Sequence, residues 1–336
     1  MTLSSIGDLA QGFSLRMRQA DLKADLTQLG TEISTGQVSD PVNRLGGHLS
    51  SLSQVEYDLT LAERFASSAH EVATSASAMQ ASITLVSDLS DKLVGTLTQV
   101  TNAAGQAGMA AAGAEARGAL ESMTSALNTS VAGRHLFSGT LTKTPPLASS
   151  DTILSELSTA ISGATSPADI AASAEAFFRT SGGGFETLIY QGSSESLAPI
   201  RLGAGEAADL DLRADHAAFR DTLMYTALAA LANDPTLSLN AADRRDLLDR
   251  SLNGLLTTKD KQVALQADLG VTEARIERAA TRIGSEATTL RMTRNELLSV
   301  DPYETASRME EVRSQLETIY AITARSARLN LVNFLS

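Results

Sequence analysis

The sequence predicts a mainly α fold, in which both chain ends form a long antiparallel coiled-coil or helical bundle and a small α+β domain is inserted between them. Three observations carry this. Positions 248, 255, 262, 269, 276, 283, 290 and 297 hold Leu, Leu, Gln, Leu, Ile, Ile, Leu and Leu. A seven-residue spacing sustained that far, with one polar member, belongs to a long helix packed against another. The N-terminal stretch carries a second amphipathic stripe. Aromatic residues make up only 4% of the 336 residues and Trp is absent, so small and aliphatic side chains must do the packing, which suits closely approaching helices.

Taken in order, Ser4 or Ser5 can cap a first helix, with Asp8 in its first turn, where a carboxylate suits the helix dipole. Ile6, Leu9 and Phe13 form one stripe; Leu15, Leu22, Leu26, Leu29 and Ile33 continue at coiled-coil spacing. Ser34-Thr35-Gly36 ends the helix with Gly36 as its C-cap, and Asp40-Pro41 and Gly46-Gly47 mark a loop. In a second helix Leu52, Val55, Leu59, Ala62, Ala66, Ala69, Ala73 and Ala76 alternate steps of three and four. Ile83 resumes the pattern after Gln80, and it runs on through Val86, Leu93, Leu97 and Val100. The Gly/Ala-rich stretch 102–113 reads as a turn, and a third helix as 114–132, ending at Gly133.

Pro145-Pro146 marks a linker over 141–150. Short helices are expected near 151–162 and 167–179, the second capped by Ser166 with Pro167 in its first turn. After the break at Gly182-Gly183-Gly184, Thr187 to Gln191, Pro199 to Leu202 and Leu210 to Arg213 read as strand pieces between glycine turns. Helix returns over 219–232 and stops at Asn233-Asp234-Pro235. The heptads then imply a helix over 243–299, roughly 85 Å long at 1.5 Å per residue. Asp301-Pro302 interrupts it, and Met309, Val312, Leu316 and Ile319 line a last amphipathic helix. The apolar terminus Leu329 to Leu335 needs a partner surface. The expected domains are 1–45 with 300–336 as a terminal coiled-coil core, 46–144 with 240–299 as a helical bundle, and 145–239 as an outward-facing α+β insertion.

Composition excludes several functions. The net charge of −12 and pI near 4.8 argue against nucleic-acid binding, which needs a basic stripe, and against adhesion to anionic membranes. No Cys is present, which removes disulfides, thiolate metal sites and Cys nucleophiles together. The N-terminus lacks the basic and apolar regions of a cleavable signal peptide, and no window approaches the roughly 20 apolar residues of a membrane span.

No residue pattern points to catalysis, a cofactor or a metal. His48, His70, His135 and His216 are too dispersed for a site and read as surface or interface histidines. Gly203-Ala204-Gly205 lacks the full dinucleotide fingerprint and reads as a turn. Asp209, Asp211 and Asp215 lack the central Gly and closing Glu of a calcium loop, so they read as a solvated acidic patch. Arg134 is expected either to fix the loop after the third helix through a carboxylate or to be solvated. The Ser residues show no nucleophile elbow. An enzyme is therefore not expected.

Four local matches resemble the bacterial flagellin family, on its hook-associated side. Glu32-Ile33-Ser34-Thr35-Gly36 resembles the family's helix-ending motif. Asn128 to Gly139 (NTSVAGRHLFSG) resembles its hook-associated segment, where an aromatic commonly occupies the place of His135. Tyr190-Gln191-Gly192 resembles an inserted-domain segment, and Leu329 to Leu335 the closing leucine-rich segment. Gln37-Val38-Ser39-Asp40-Pro41 departs from the family by being shorter than its usual loop. The resemblance implies an extracellular structural subunit of the flagellum at the hook–filament junction, exported without a cleaved signal. Its alternatives are a filament-forming flagellin or a coiled-coil secretion-tip or adhesin protein. It implies as partners further copies in a ring or tube, an adjacent hook-associated protein, flagellin and an export chaperone, but no nucleic acid and no membrane. The terminal stripes give the expected assembly interface: Ile6, Leu9, Phe13, Met309, Leu316, Ile319, Leu331, Phe334 and Leu335.

Overall fold

The computed structural model describes residues 6–103, 105–203, 205–237 and 239–335; the side chains of 6–9, 102–103 and 326–335 lie outside the described set. In chain order the elements are α1 (Ile6–Thr35), α2 (Pro41–Arg44), α3 (Ser50–Ala103), α4 (Gln106–Leu127), β1 (Ser130–Val131) and β2 (Arg134–His135). They continue with α5 (Ser150–Ile161), α6 (Pro167–Arg179), a π-helical turn (Phe185–Ile189), β3 (Ile200–Gly203), β4 (Glu206–Ala208), α7 (Ala217–Leu231), α8 (Ala241–Leu298) and α9 (Pro302–Leu335). The fold is mainly α, with two small antiparallel hairpins, β1–β2 and β3–β4. Two compact units form, residues 1–63 with 285–336 and residues 64–284, and α3 and α8 contribute to both.

The long helices follow the apolar spacing. On α8, Leu248, Leu255, Gln262, Leu269, Ile276 and Ile283 are all buried. The polar member is satisfied there, because Gln262 Nε2 donates to Thr222 Oγ1 at 2.7 Å, as a buried amide must be. On α3 the seam departs from the expected alanine run. Val72 is buried where Ala73 was expected on the stripe, and Met79 is buried beside Gln80, where the expected pattern broke, because the larger apolar side chains take the inward face.

Four expected boundaries differ. Helix α4 begins at Gln106, inside the stretch expected to be a turn, because the run that follows is rich in alanine, a strong helix former. Its first turn is also tied down by Asn233, whose Nδ2 donates to the Met109 carbonyl at 2.6 Å. The helix stops at Leu127 rather than Ala132. Ala132 and Gly133 both have positive φ, 50° and 74°, the turn geometry that closes a two-residue hairpin between β1 and β2. Thr187 to Gln191 is not a strand: Phe185 and Ile189, four residues apart, are both buried and wind the segment into the π-helical turn. Leu210 to Arg213 is not a strand either. The turn through Gly205 returns the chain at once, so Glu206–Ala208 pairs with Ile200–Gly203 instead.

In the unit formed by 64–284, α7 is the central helix: twelve of its fifteen residues are buried, and it lies against α4, α5 and α6. The hook-associated-like segment is wound into this core. The Asn128 side chain pairs with the Leu147 backbone in both directions, at 2.9 and 3.0 Å. Phe137 is fully buried and meets Phe219 of α7 edge-on, with ring centroids 5.9 Å apart. Gly139 has φ +59°, and a Cβ there would overlap the Glu195 carbonyl oxygen, so only glycine fits. The Tyr190 hydroxyl donates to the Ser193 carbonyl at 2.8 Å, and burial pushes its pKa up to about 12. Arg134 does pair with a carboxylate, Glu71 of α3 at 3.3 Å, but both side chains are exposed, so the pair contributes little.

One polar cluster ties α6, α7 and α8 together. The buried Asp221 carboxylate accepts from Arg179 Nε and from Lys261 Nζ, each at 2.7 Å. The two cations are well exposed, whereas Asp221 is not. Removing the cations therefore strands a buried charge, while neutralising the acid leaves cations that water can solvate. The double variant Arg179→Met/Lys261→Met is expected to lose about 3 kcal/mol in urea denaturation. Adding Asp221→Asn should recover much of that loss.

Candidate assembly interface

The first unit is built around α1 and α9. Their pairing is antiparallel: Leu22 packs with Leu316 and Ile319, while Gln37, after α1, bridges Ser299, before α9. The covered positions of α1 are Gly12, Leu15, Gln19, Leu22, Leu26 and Leu29. Those of α9 are Thr305, Met309, Val312, Leu316 and Ile319. Both series step by three and four, the spacing of one helical face. Lys23 Nζ lies 5.8 Å from the centre of the Tyr320 ring, and hydrogen bonding from Lys23 and then Gln19 draws the Tyr320 phenol below its ordinary value.

The register is set at the end of the pair. The Glu32 side chain is buried, and its Oε1 accepts from Ser39 N at 2.9 Å and from Gln28 Nε2 at 3.0 Å. Gly36 N returns to the Glu32 carbonyl at 2.8 Å and ends α1. The chain after Gly36 then pairs with the break between α8 and α9: Val38 N donates to Leu298 O at 2.9 Å, and Val300 N to Gly36 O at 3.2 Å. Asp301 caps α9 by accepting from Tyr303 N at 2.8 Å and Glu304 N at 3.2 Å. Asp40 caps the one-turn helix α2 in a segment expected to be loop.

The expected interface residues fall into three groups. Leu316 and Ile319 are buried in the seam, and Met309 is half-buried on the same face. Phe13 is 65% exposed, off the seam, one turn from Met17 at 54%. Ile6 and Leu9 lie in α1, and Leu331, Phe334 and Leu335 in α9, with side chains outside the described residues; the Ser4 or Ser5 cap also lies outside them. Ile33, expected on the stripe, is exposed, and Glu32 takes the inward place. Ile33, Tyr303 and Ile322 add to the uncovered apolar side chains of this unit. Two helices can cover only one face of each other, so apolar residues beyond the seam stay in water unless another surface meets them.

Among the described residues, no group of three His, Asp or Glu side chains is placed to hold a metal ion, and no helix is long and apolar enough to cross a membrane.

Truncating a seam residue should act on the fold of the pair, and truncating an exposed one should not. Leu316→Ala is expected to cost about 2 kcal/mol, read as faster amide hydrogen exchange in α1 and α9. Phe13→Ala should leave exchange within roughly 0.5 kcal/mol of the parent.

Residues 256–335 match the family described as the bacterial flagellin C-terminal helical region. No curated protein matches the chain in sequence. A solved structure from Vibrio parahaemolyticus, assigned as a flagellar hook-associated protein, has a similar fold: TM-score 0.51 at 14% identity, covering 73% of this chain and 95% of that one. The C-terminal helices of this chain are thus similar to the C-terminal helical region of flagellin, and the fold is similar to that of the Vibrio protein.

Proposed function

We propose that this chain is a structural subunit of the bacterial flagellum, and specifically the distal junction subunit between hook and filament, hook-associated protein 3. The observation that carries the reading is the terminal pair. The segment similar to flagellin, 256–335, contains all of α9, and α9 pairs with the N-terminal helix while both leave apolar side chains uncovered. In this reading the uncovered residues pack against further copies in a ring or tube. Contact that continues head-to-tail is heterologous and propagates along such a tube. Each fully buried Leu or Phe contributes roughly 1.5–3 kcal/mol before ordering costs. The assembly face comprises Ile6, Leu9, Phe13, Met309, Leu316, Ile319, Leu331, Phe334 and Leu335, with Leu316 and Ile319 acting through the α1–α9 seam. The resemblance of Asn128 to Gly139 supports a junction subunit over a filament flagellin. The junction reading also takes a neighbouring hook-associated protein, flagellin and an export chaperone as partners, and an extracellular site reached by flagellar export.

A strain lacking this protein, viewed by electron microscopy, tests the reading. Hooks without filaments, with flagellin shed to the medium, are expected. Filaments of normal length on those hooks would overturn the junction role.

A further inference from the structure

The central helix α7 is capped by a histidine. His216 Nδ1 accepts from the Ala218 N–H at 3.3 Å, the place usually filled by Ser, Thr, Asn or Asp. The same ring stands edge-on to Phe219, with centroids 6.2 Å apart, and Phe219 in turn meets Phe137. An acceptor nitrogen has no proton. Protonating it turns acceptor into donor, removes the cap, and puts a positive charge at the positive end of the helix dipole. His135 behaves oppositely: its Nδ1 lies 2.8 Å from the Asn128 carbonyl, an acceptor only, so Nδ1 is the donor in both charge states.

We propose that His216 makes the first turn of α7 a pH-sensitive latch, closed while the imidazole is neutral and released on protonation. The latch holds a junction of three segments. Ala214 N donates to Phe137 O at 3.0 Å, Ser193 N to Ser138 O at 2.9 Å, and Arg213 reaches Ser196 Oγ at 2.8 Å while pairing with Asp215. These bonds also show that Asp215 is not part of a freely solvated acidic patch. The charged groups around the imidazole are Asp215 and Arg213 before α7, Arg220 on α7, itself paired with Glu186 of the π-helical turn, and Asp268 on α8. Two favour the cation and two oppose it. The residue as a whole is exposed, yet protein atoms crowd its ring, and this loss of water holds the imidazole below its ordinary value. The unfolded chain then binds the proton more readily than the folded one. Stability is therefore unaffected above the ordinary histidine range and falls as pH drops through about 6.5.

The test compares thermal unfolding of the full chain with that of His216→Asn, whose side chain caps without titrating, from pH 7.5 to 5.5; His70→Asn serves as the control. The parent should lose roughly 2–3 °C relative to His216→Asn across this window, with no such difference for His70→Asn. A difference between the parent and His216→Asn that does not change with pH would overturn the latch. So would an NMR titration placing the His216 imidazole at or above the ordinary histidine value.

Discussion

The fold depends on a short antiparallel contact between two chain breaks. Gly36 to Val38, where α1 ends, hydrogen-bonds to Leu298 to Val300, where α8 gives way to α9. The contact aligns residues more than 250 positions apart in sequence. Closing so large a loop costs conformational entropy that local propensity cannot offset. The favourable terms come from the seam that the alignment creates: Leu22 against Leu316 and Ile319, and Glu32 fastened to Ser39. A one-residue slip would turn these side chains away from each other. The backbone pairs at the end therefore act as a stop that keeps the seam in register.

The same geometry explains why described apolar residues of α1 and α9, such as Phe13, Met17, Tyr303 and Ile322, stay exposed. A helix pair has one shared face, and the terminal helices have apolar residues on more than one. Unit 64–284 has a different economy. Its core surrounds α7 with helices, fills the centre with Phe137, Phe178, Phe185 and Phe219, and pairs the buried Gln262 with Thr222 and the buried Asp221 with Arg179 and Lys261. One unit has a core that encloses a central helix and the other shares a single two-helix seam, and the proposed assembly rests on that difference.

Much of this was legible in the sequence. Spacing gave α1, α3, α8 and α9 nearly to their ends, because each has a single buried face and a regular period. Ser166 and Pro167 marked the start of α6 through cap chemistry alone. Short elements were less legible. A buried pair at Phe185 and Ile189 satisfies a helical turn and a short strand pattern about equally well, and packing decided for the turn. The inward place of Glu32 was hidden because the apolar Ile33 beside it fits the stripe better; only the need of the Ser39 amide for an acceptor explains the choice. His216 was read as a surface histidine, and it is exposed, but its role as a cap depends on where α7 begins, which apolar spacing does not mark.

The measurement closest to the central claim is intramolecular cross-linking of the terminal pair. The chain contains no Cys, so Leu22→Cys with Ile319→Cys introduces one defined pair of thiols into the seam. The account predicts that mild oxidation closes a disulfide within a single chain at high dilution, while Phe13→Cys with Ile319→Cys, which pairs an exposed position with a buried one, does not close. Disulfides formed only between chains, or equally well in both variants, would contradict the antiparallel register on which the rest depends.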